Sequence, residues 1–309
     1  MHHAWLITGP EGIGKATLAY RFARRLLAGL PDDPAAGLAL DPSHPVFRRV
    51  AAASHADLLS VERAWDDKRK RLRSEIVVED VRAVADFLRL TPAEGGWRVV
   101  VVDGAEEMNR NAANALLKVL EEPPARAVLL LTCAAPGRLL PTIRSRCRRL
   151  RLSAPADAPM RALLDRYLPE MAAPDREKLL ALAEGSPGRA LRLADEEGLA
   201  IAALVDGVLA DLPRLPPARA HEVADALGRS EAAFSLFMDL LRGALAAALR
   251  ADLRGRADAA QRRLVTLRAL DAWGDVWQGL TRLQDETERF SLDRRQAVLA
   301  GLALLSGTA

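Results

Sequence analysis

Apolar residues follow two patterns along the chain. Up to about residue 150, short apolar runs alternate with amphipathic stretches, which is typical of strand–helix units around a parallel sheet. Beyond residue 152, the apolar positions recur only at helical spacing. Five runs are bounded by turn residues or by a helix and predict buried strands. These runs are residues 4–8, 57–61, 98–103, 128–133 and 148–152.

Two amphipathic helices are predicted between these strands. In residues 77–88 the apolar positions recur at i, i+4, i+7 and i+11, which places them on one face of an α-helix. A second apolar stripe covers residues 112–120 and is followed by Pro123. Proline ends a helix there because it lacks the N–H group and clashes with the preceding turn.

Three domains are predicted from these patterns. Residues 1–153 form an α/β domain with a parallel sheet and flanking helices, and a proline-bearing stretch at 153–159 marks its end. Residues 154–205 form a small helical domain. A second proline-rich stretch, 213–217, interrupts the helical part, and residues 206–309 form an all-helical C-terminal domain.

Composition narrows the class of protein. The 309 residues are 50% hydrophobic and 28% charged, with a formal net charge of +3, so the chain is suited to packed domains and not to disorder. Its two cysteines lie 14 residues apart, which supports neither a disulfide framework nor a four-ligand zinc site. The longest apolar runs are only strand-sized. We therefore expect a cytoplasmic protein without a membrane span.

The first candidate site follows the first strand. Residues 9–15 match G-x-x-x-x-G-K, a loop whose backbone N–H groups converge on phosphates while the lysine reaches the terminal ones. Ala16 stands where a Ser or Thr hydroxyl would ligate Mg²⁺, and the hydroxyl is displaced to Thr17, about 100° around the helix. Mg²⁺-dependent hydrolysis is therefore in doubt. The candidate nucleotide-binding residues are Gly9, Gly12, Gly14, Lys15 and Thr17.

A second nucleotide-site element is also incomplete. The strand at 98–103 ends in Asp103, the usual place for a carboxylate that holds Mg²⁺. A glutamate that activates water would come next, but the chain has Gly104. We interpret Glu106 and Glu107, which follow, as acids at the start of a helix.

A third element is intact. Residues 145–147 read Ser-Arg-Cys and lie between the last two predicted strands. Because the chain has 39 arginines, one interpretation of Arg146 is an exposed surface residue without a specific role. The alternative is an arginine finger, a fixed guanidinium that stabilises charge on a γ-phosphate transferred in a neighbouring subunit.

Together these motifs resemble a known family. The phosphate loop, Asp103, the run Ala-Ala-Asn-Ala-Leu-Leu-Lys-Val-Leu-Glu-Glu-Pro-Pro at 112–124, the Ser-Arg-Cys triplet and Gly-Ser-Pro-Gly-Arg-Ala-Leu at 185–191 resemble the bacterial clamp-loader branch of AAA+ proteins. Within that branch they are most similar to the delta-prime family of DNA polymerase III. The resemblance covers residues 1 to about 195 well, and the remainder only by its helical character.

The resemblance implies an architecture and a role. The domains become an AAA+ P-loop domain, a helical lid at 154–205 and a helical collar at 206–309. Arg146 is implied to act in trans on the ATP site of a gamma or tau subunit, while Thr132 and Arg189 match sensor positions. The implied protein is a largely non-hydrolysing stator, and its own nucleotide site binds ATP weakly or not at all. ATP and Mg²⁺ would be bound by neighbouring subunits.

The implied partners are other clamp-loader subunits, gamma or tau and delta, and, through the complex, the sliding clamp and primed DNA. The chain departs from many relatives in two ways. Residues 31–60 contain no cysteine, and His44 and His55 alone cannot form a zinc site, so we expect no metal. The chain also begins at Met1, close to the first strand, where relatives have a further segment that helps to hold adenine. Either the start is misassigned or part of that pocket is lost.

Other functions and features remain open. An active gamma/tau-like ATPase would use Thr17 in place of the missing hydroxyl, and an unrelated P-loop kinase would need an acceptor pocket. The basic segment 63–73 is interpreted as a solvated helix–loop insertion, with contact to a phosphate backbone as the alternative. Trp273 and Trp277 are expected to pack in the C-terminal helices.

Overall fold

The computed structural model describes residues 1–30, 37–67 and 70–307. The chain separates into two compact units, one of residues 1–167 with 184–188 and one of residues 168–183 with 189–309. The division into an α/β domain, a lid and a collar, with boundaries at 153 and 205, stays a prediction.

A five-stranded parallel sheet forms the centre of the first unit, with strand order β2-β5-β6-β1-β7. All five predicted strands are present, and each end lies within one residue of its predicted position. The parallel α/β sheet is therefore confirmed. The strands of the first unit are β1 (Ala4–Thr8), β2 (Leu58–Val61), β3 (Trp65–Asp66), β4 (Arg71–Leu72), β5 (Arg98–Val102), β6 (Ala127–Cys133) and β7 (Arg148–Arg151).

Helices cover both faces of this sheet. Alternate residues of a strand point to opposite faces: Val100 and Val102 pack into a core with α3 and α4, whereas Val99 and Val101 pack against α1. Because β5 is covered on both sides, all five of its residues are buried. The helices of the first unit are α1 (Lys15–Leu27), α2 (Pro45–Ala51), α3 (Val78–Arg89), α4 (Arg110–Glu121), α5 (Pro141–Arg146) and α6 (Asp157–Tyr167).

A buried ion pair fixes the loop between α3 and β5. Arg98 donates from its guanidinium to the carbonyls of Phe87 and Thr91, both at 2.5 Å, and lies 3.6 Å from Asp57. Asp57 accepts the backbone N–H groups of Ala93 and Glu94. The pair is almost completely buried, and its hydrogen bonds offset part of the cost of removing two charges from water.

In its described residues, the basic segment forms a short hairpin and no helix. β3 and β4 pair antiparallel, with Trp65 opposite Leu72, and both side chains are about half exposed. Two-residue strands are too short to leave an alternating pattern, so the sequence did not reveal them. Two of the basic residues, Lys68 and Arg69, lie outside the described residues.

One of the two edge strands of the described sheet is β7, which pairs only with β1; the other is β2. All four of its residues are exposed, and three of them are arginines. Arg148 lies over the ring of Trp5, with 5.3 Å between the guanidinium carbon and the ring centroid. Arg149 donates to the hydroxyl of Thr8.

The second unit is helical throughout its described residues. Its longest helix, α11, buries Phe234, Phe237 and Leu241; it is long and apolar enough to cross a membrane, but such a helix is equally typical of a soluble bundle core. The remaining helices are α7 (Ala173–Ala183), α8 (Pro187–Arg192), whose first two residues belong to the first unit, α9 (Glu196–Asp211), α10 (Pro217–Leu227), α11 (Glu231–Leu253), α12 (Ala259–Val265), α13 (Leu270–Phe290) and α14 (Arg294–Ser306).

The two tryptophans of α13 differ in environment. Trp273 is buried and donates its indole N–H to the carbonyl of Val265 at 3.2 Å, so it packs in the helices as expected. Trp277 remains 38% exposed, with the guanidinium of Arg242 5.9 Å from its ring centroid.

Candidate nucleotide site and arginine finger

A cavity of about 700 Å³ lies at the carboxyl ends of β1, β2, β5 and β6. This edge of a parallel sheet is the usual position for a bound ligand, because the loops that follow the strands converge there. Most of the predicted nucleotide-site residues line it. The residues that line the cavity include Glu11, Gly12, Gly14, Lys15, Ala16, Thr17, Glu62, Arg63, Asp103, Gly104, Glu106, Glu107, Thr132 and Gly188.

Glycine is required at two positions of the phosphate loop. A Cβ atom on Gly9 would lie 2.7 Å from the carbonyl oxygen of Leu152, so no other residue fits between the loop and the end of β7. Gly14 caps α1 in the left-handed region, with φ of 96°, which favours glycine. The loop thus passes directly from β1 into α1.

Lys15 is turned back onto its own loop. Its ammonium group donates to the carbonyls of Gly9 and Pro10, at 3.0 and 2.9 Å. Lysine has three donors on a flexible chain, so these bonds occupy most of its donor capacity. The next residue, Ala16, brings only a methyl group to the cavity, and Thr17 brings an exposed hydroxyl.

Asp103 and Thr132 are brought together as neighbours on adjacent strands. The Thr132 hydroxyl donates to Asp103 Oδ1 at 2.5 Å and accepts the backbone N–H of Gly104 at 2.9 Å. Thr132 is buried. The sensor position and the metal-ligand position of the resemblance are therefore in direct contact.

The two glutamates after Asp103 lie in a single 3₁₀ turn, Ala105–Glu107, so they do begin a short helical segment. Their side chains, however, line the cavity, which the sequence did not predict. Glu106 accepts the N–H of Ala134 at 2.6 Å. Glu107 pairs with Arg63 at 2.5 Å. Burial raises the pKa of Glu107, and Arg63 opposes that rise.

Negative charge dominates among the described residues of the cavity wall. The cations among them are Lys15 and Arg63. The five carboxylates among them create a potential that repels a polyphosphate unless a cation accompanies it. The acidic lining residues are Glu11, Glu62, Asp103, Glu106 and Glu107.

The segment 185–188 closes on the phosphate loop. Gly188 donates its N–H to the carbonyl of Gly12 at 2.8 Å, and the Ser186 hydroxyl donates to the carbonyl of Glu11 at 3.0 Å. The predicted sensor arginine, Arg189, belongs to the second unit. Its guanidinium lies against Gly243 of α11, where an added Cβ atom would come within 2.8 Å.

Arg146, the last residue of α5, is not among the residues that line the cavity. Its guanidinium is 2.7 Å from a carboxylate oxygen of Glu121, and it donates to the carbonyl of Thr142 at 3.0 Å. The side chain is about one-third exposed. Arg146 therefore lies apart from the cavity that most of the predicted nucleotide-site residues line.

The two histidines considered for zinc have other contacts. His44 caps α2 by accepting the N–H of Val46, and the buried His55 accepts the N–H of Asp57. Burial lowers the pKa of His55. Among the described residues, no group of three or more His, Cys, Asp or Glu side chains has an arrangement that could hold a metal ion.

Comparison with known proteins identifies the family. A family model described as "DNA polymerase III, delta subunit" matches residues 1–156. The delta-prime subunit of Yersinia pestis is 33% identical over 253 residues, covering 78% of this chain and 70% of that protein. The chain belongs to the delta-prime family of DNA polymerase III subunits. The predicted resemblance is therefore confirmed.

Other relatives match over shorter lengths. The delta-prime subunit of Pseudomonas aeruginosa is 43% identical over 191 residues, which are 62% of this chain and 55% of that protein. The tau subunit of Escherichia coli is 33% identical over 202 residues, which cover 63% of this chain and 29% of tau. A gamma-subunit-related protein of Thermotoga maritima has a TM-score of 0.48 at 19% identity, over 99% of this chain and 95% of that structure.

Proposed function

We propose that this delta-prime family member is a clamp-loader stator: it does not turn over ATP itself and donates Arg146 to the ATP site of a neighbouring subunit. One contrast supports this proposal. The nucleotide cavity lacks a metal-binding hydroxyl after Lys15 and carries five carboxylates, whereas Arg146 keeps its Ser-Arg-Cys setting at the end of a helix.

In this proposal the cavity is a poor fit for Mg²⁺-ATP. Ala16 supplies no hydroxyl ligand, and Asp103 already accepts the Thr132 hydroxyl. Lys15 is engaged by two loop carbonyls. A triphosphate would have to displace these contacts and enter a negative field. Nucleotide binding here is thus weak or absent, and ATP and Mg²⁺ are held by the neighbour.

The proposed role of Arg146 follows from guanidinium chemistry. Arginine remains charged and presents a rigid fork of donors, so it stabilises the charge that spreads over a transferring γ-phosphoryl group. Ile143, within α5, is fully buried, and Cys147, directly after it, is 9% exposed. These buried residues hold the backbone of Arg146 in a defined position, from which its guanidinium can reach a neighbouring site.

The partners follow from the same proposal. A finger that acts in trans requires a gamma or tau subunit beside this chain, and delta completes the set of loader subunits. The sliding clamp and primed DNA are contacted through the complex. Such an assembly works in the cytoplasm, where the chromosome is replicated.

The test replaces Arg146 with alanine in a clamp loader reconstituted from the source organism. Hydrolysis at the adjoining ATP site is expected to fall by about 10³-fold or more, as for other arginine fingers, while gel filtration shows an intact complex. Arg144→Ala is the matched control because Arg144 lies on the same helix and is exposed. An unchanged rate of DNA-stimulated ATP hydrolysis in the Arg146→Ala complex would overturn the proposal.

A second candidate, a gamma- or tau-like ATPase, has one observation in its favour: the hydroxyl-bearing Thr17 lines the cavity. Mg²⁺-dependent ATP turnover by the isolated chain separates the two functions. Steady turnover that Lys15→Ala abolishes would favour the ATPase, and no turnover would favour the stator.

A further inference from the structure

The guanidinium of Arg146 is docked on its own subunit. One terminal nitrogen lies 2.7 Å from Glu121, and the other donates to the carbonyl of Thr142 at 3.0 Å and approaches the Ser145 hydroxyl at 3.5 Å. Both terminal nitrogens therefore have partners. A guanidinium bound in this way presents fewer donors to a phosphate outside the subunit.

Both partners of this ion pair stand on fixed backbone. Glu121 is the last residue of α4, whose Leu116 and Leu120 are buried in the core of the sheet domain. Arg146 ends α5, whose Ile143 is buried in the same core. The pair thus joins two helix ends whose positions the core determines, and not two mobile loops.

Because Glu121 is the last residue of α4, its carboxylate is stabilised by a nearby cation. The carboxyl end of a helix carries partial negative charge, so an acid there is unfavourable unless a positive group compensates it. Glu122 places a second carboxylate at the same end. Arg146 neutralises Glu121 at 2.7 Å, and this charge is uncompensated again whenever the guanidinium leaves.

We propose that Glu121 is a positioning residue that competes with the neighbour's γ-phosphate for Arg146 and so restrains the arginine finger in the docked position. The proposal rests on the proposed role of Arg146. A carboxylate and a phosphate both bind the guanidinium fork, so the neighbour's phosphate gains Arg146 only as Glu121 releases it. Glu121 therefore acts as a brake on hydrolysis.

The solvent exposure of the Arg146–Glu121 ion pair limits how strongly Glu121 can slow ATP hydrolysis. The side chains of Arg146 and Glu121 are 34% and 49% exposed, and ion pairs open to solvent in this way change an equilibrium by about 1.4- to 5-fold. Removing the charge at residue 121 should raise kcat/KM for ATP by a factor in that range. Because salt screens exposed charges, the gain should shrink as ionic strength rises.

The experiment compares reconstituted clamp loaders that carry Glu121→Gln, Arg146→Ala or both changes, with Glu122→Gln as the matched control. Gln keeps the size of the side chain and removes its charge, and Glu122→Gln removes the same charge one residue later. ATPase is measured against ATP concentration at low and high salt. We expect Glu121→Gln to raise kcat/KM by about 1.4- to 5-fold at low salt, Glu122→Gln to leave it unchanged, and the double variant to match Arg146→Ala.

The outcomes separate this inference from the proposed function. If Arg146→Ala leaves the ATPase unchanged, the finger role itself fails. If Arg146→Ala lowers the ATPase but Glu121→Gln leaves kcat/KM unchanged or lowers it, the finger role stands and the brake is overturned. An effect of Glu121→Gln that persists in the Arg146→Ala background also overturns it, since the carboxylate would then act through another group.

Discussion

Gly188 donates its backbone N–H to the carbonyl of Gly12 at 2.8 Å, although 176 positions separate them in the sequence. The two backbones approach so closely that a Cβ atom on Gly188 would lie 2.9 Å from Gly12 Cα. The conformation of the phosphate loop therefore depends on a segment that comes after the whole sheet has been completed.

Replacing Gly188 with alanine should loosen the phosphate loop. The new methyl group would clash with backbone atoms that cannot rotate away. We therefore expect the free energy of unfolding to fall by about 1–3 kcal/mol, as for other overpacked sites. Hydrogen–deuterium exchange of a peptide covering residues 9–20 should become faster. Gly137→Ala is the control, because a Cβ atom there meets nothing within 4 Å. Equal exchange in both variants would show that the contact does not hold the loop.

Lys15→Ala should affect stability more than hydrolysis. The variant loses two hydrogen bonds from an ammonium group to the carbonyls of Gly9 and Pro10, each worth about 1.5–3 kcal/mol at most. We expect a lower melting temperature and an unchanged ATPase in the reconstituted loader. Lys178→Ala removes an exposed lysine and should change neither quantity. A loss of ATPase with Lys15→Ala would instead indicate a working nucleotide site.

Arg98→Met should destabilise the first unit strongly. It removes the cation of a buried pair and leaves the Asp57 carboxylate uncompensated, a change that costs about 3–5 kcal/mol. Urea unfolding measures the loss. Arg89→Met, at a side chain that is 69% exposed, should cost less than about 1 kcal/mol. Equal midpoints for the two variants would refute the assigned role of Arg98.

Both cysteines should be unreactive in the native protein. Burial raises the pKa of the Cys133 thiol to about 12 and that of the Cys147 thiol to about 11, above the ordinary value of 9.0. Because only the thiolate attacks, the native thiols stay protonated at pH 8, and their reaction with a disulfide reagent should still accelerate above pH 10. After denaturation both should react rapidly at pH 8. A fast native thiol at pH 8 would contradict this.

The five strands of the parallel sheet could be predicted because buried parallel strands are continuous apolar runs. Arg98 to Val102, for instance, is buried along its whole length. The hairpin could not be predicted, since Trp65 and Leu72 form a pair of two-residue strands that bury little. The pattern of apolar residues along a chain indicates which segments are buried, and little of this hairpin is buried.

The site residues could be predicted where they directly follow a motif or a strand in the sequence. Lys15 follows its glycines directly, and Asp103 follows its strand. The contribution of Glu106 and Glu107 was missed, because a 3₁₀ turn aims side chains in directions that helical spacing does not encode. The pairing of Glu121 with Arg146 joins two helix ends that are distant in sequence, and no local signal identifies it.

The arginines of β7 have a consequence for the purified protein. An edge strand offers unpaired backbone groups on which a second copy could extend the sheet. Two copies meeting along β7 would bring Arg148, Arg149 and Arg151 of each into one narrow ribbon, and like charges facing each other across strands repel. This edge therefore resists the pairing of two copies along β7, and such pairing should become easier as added salt screens the repulsion.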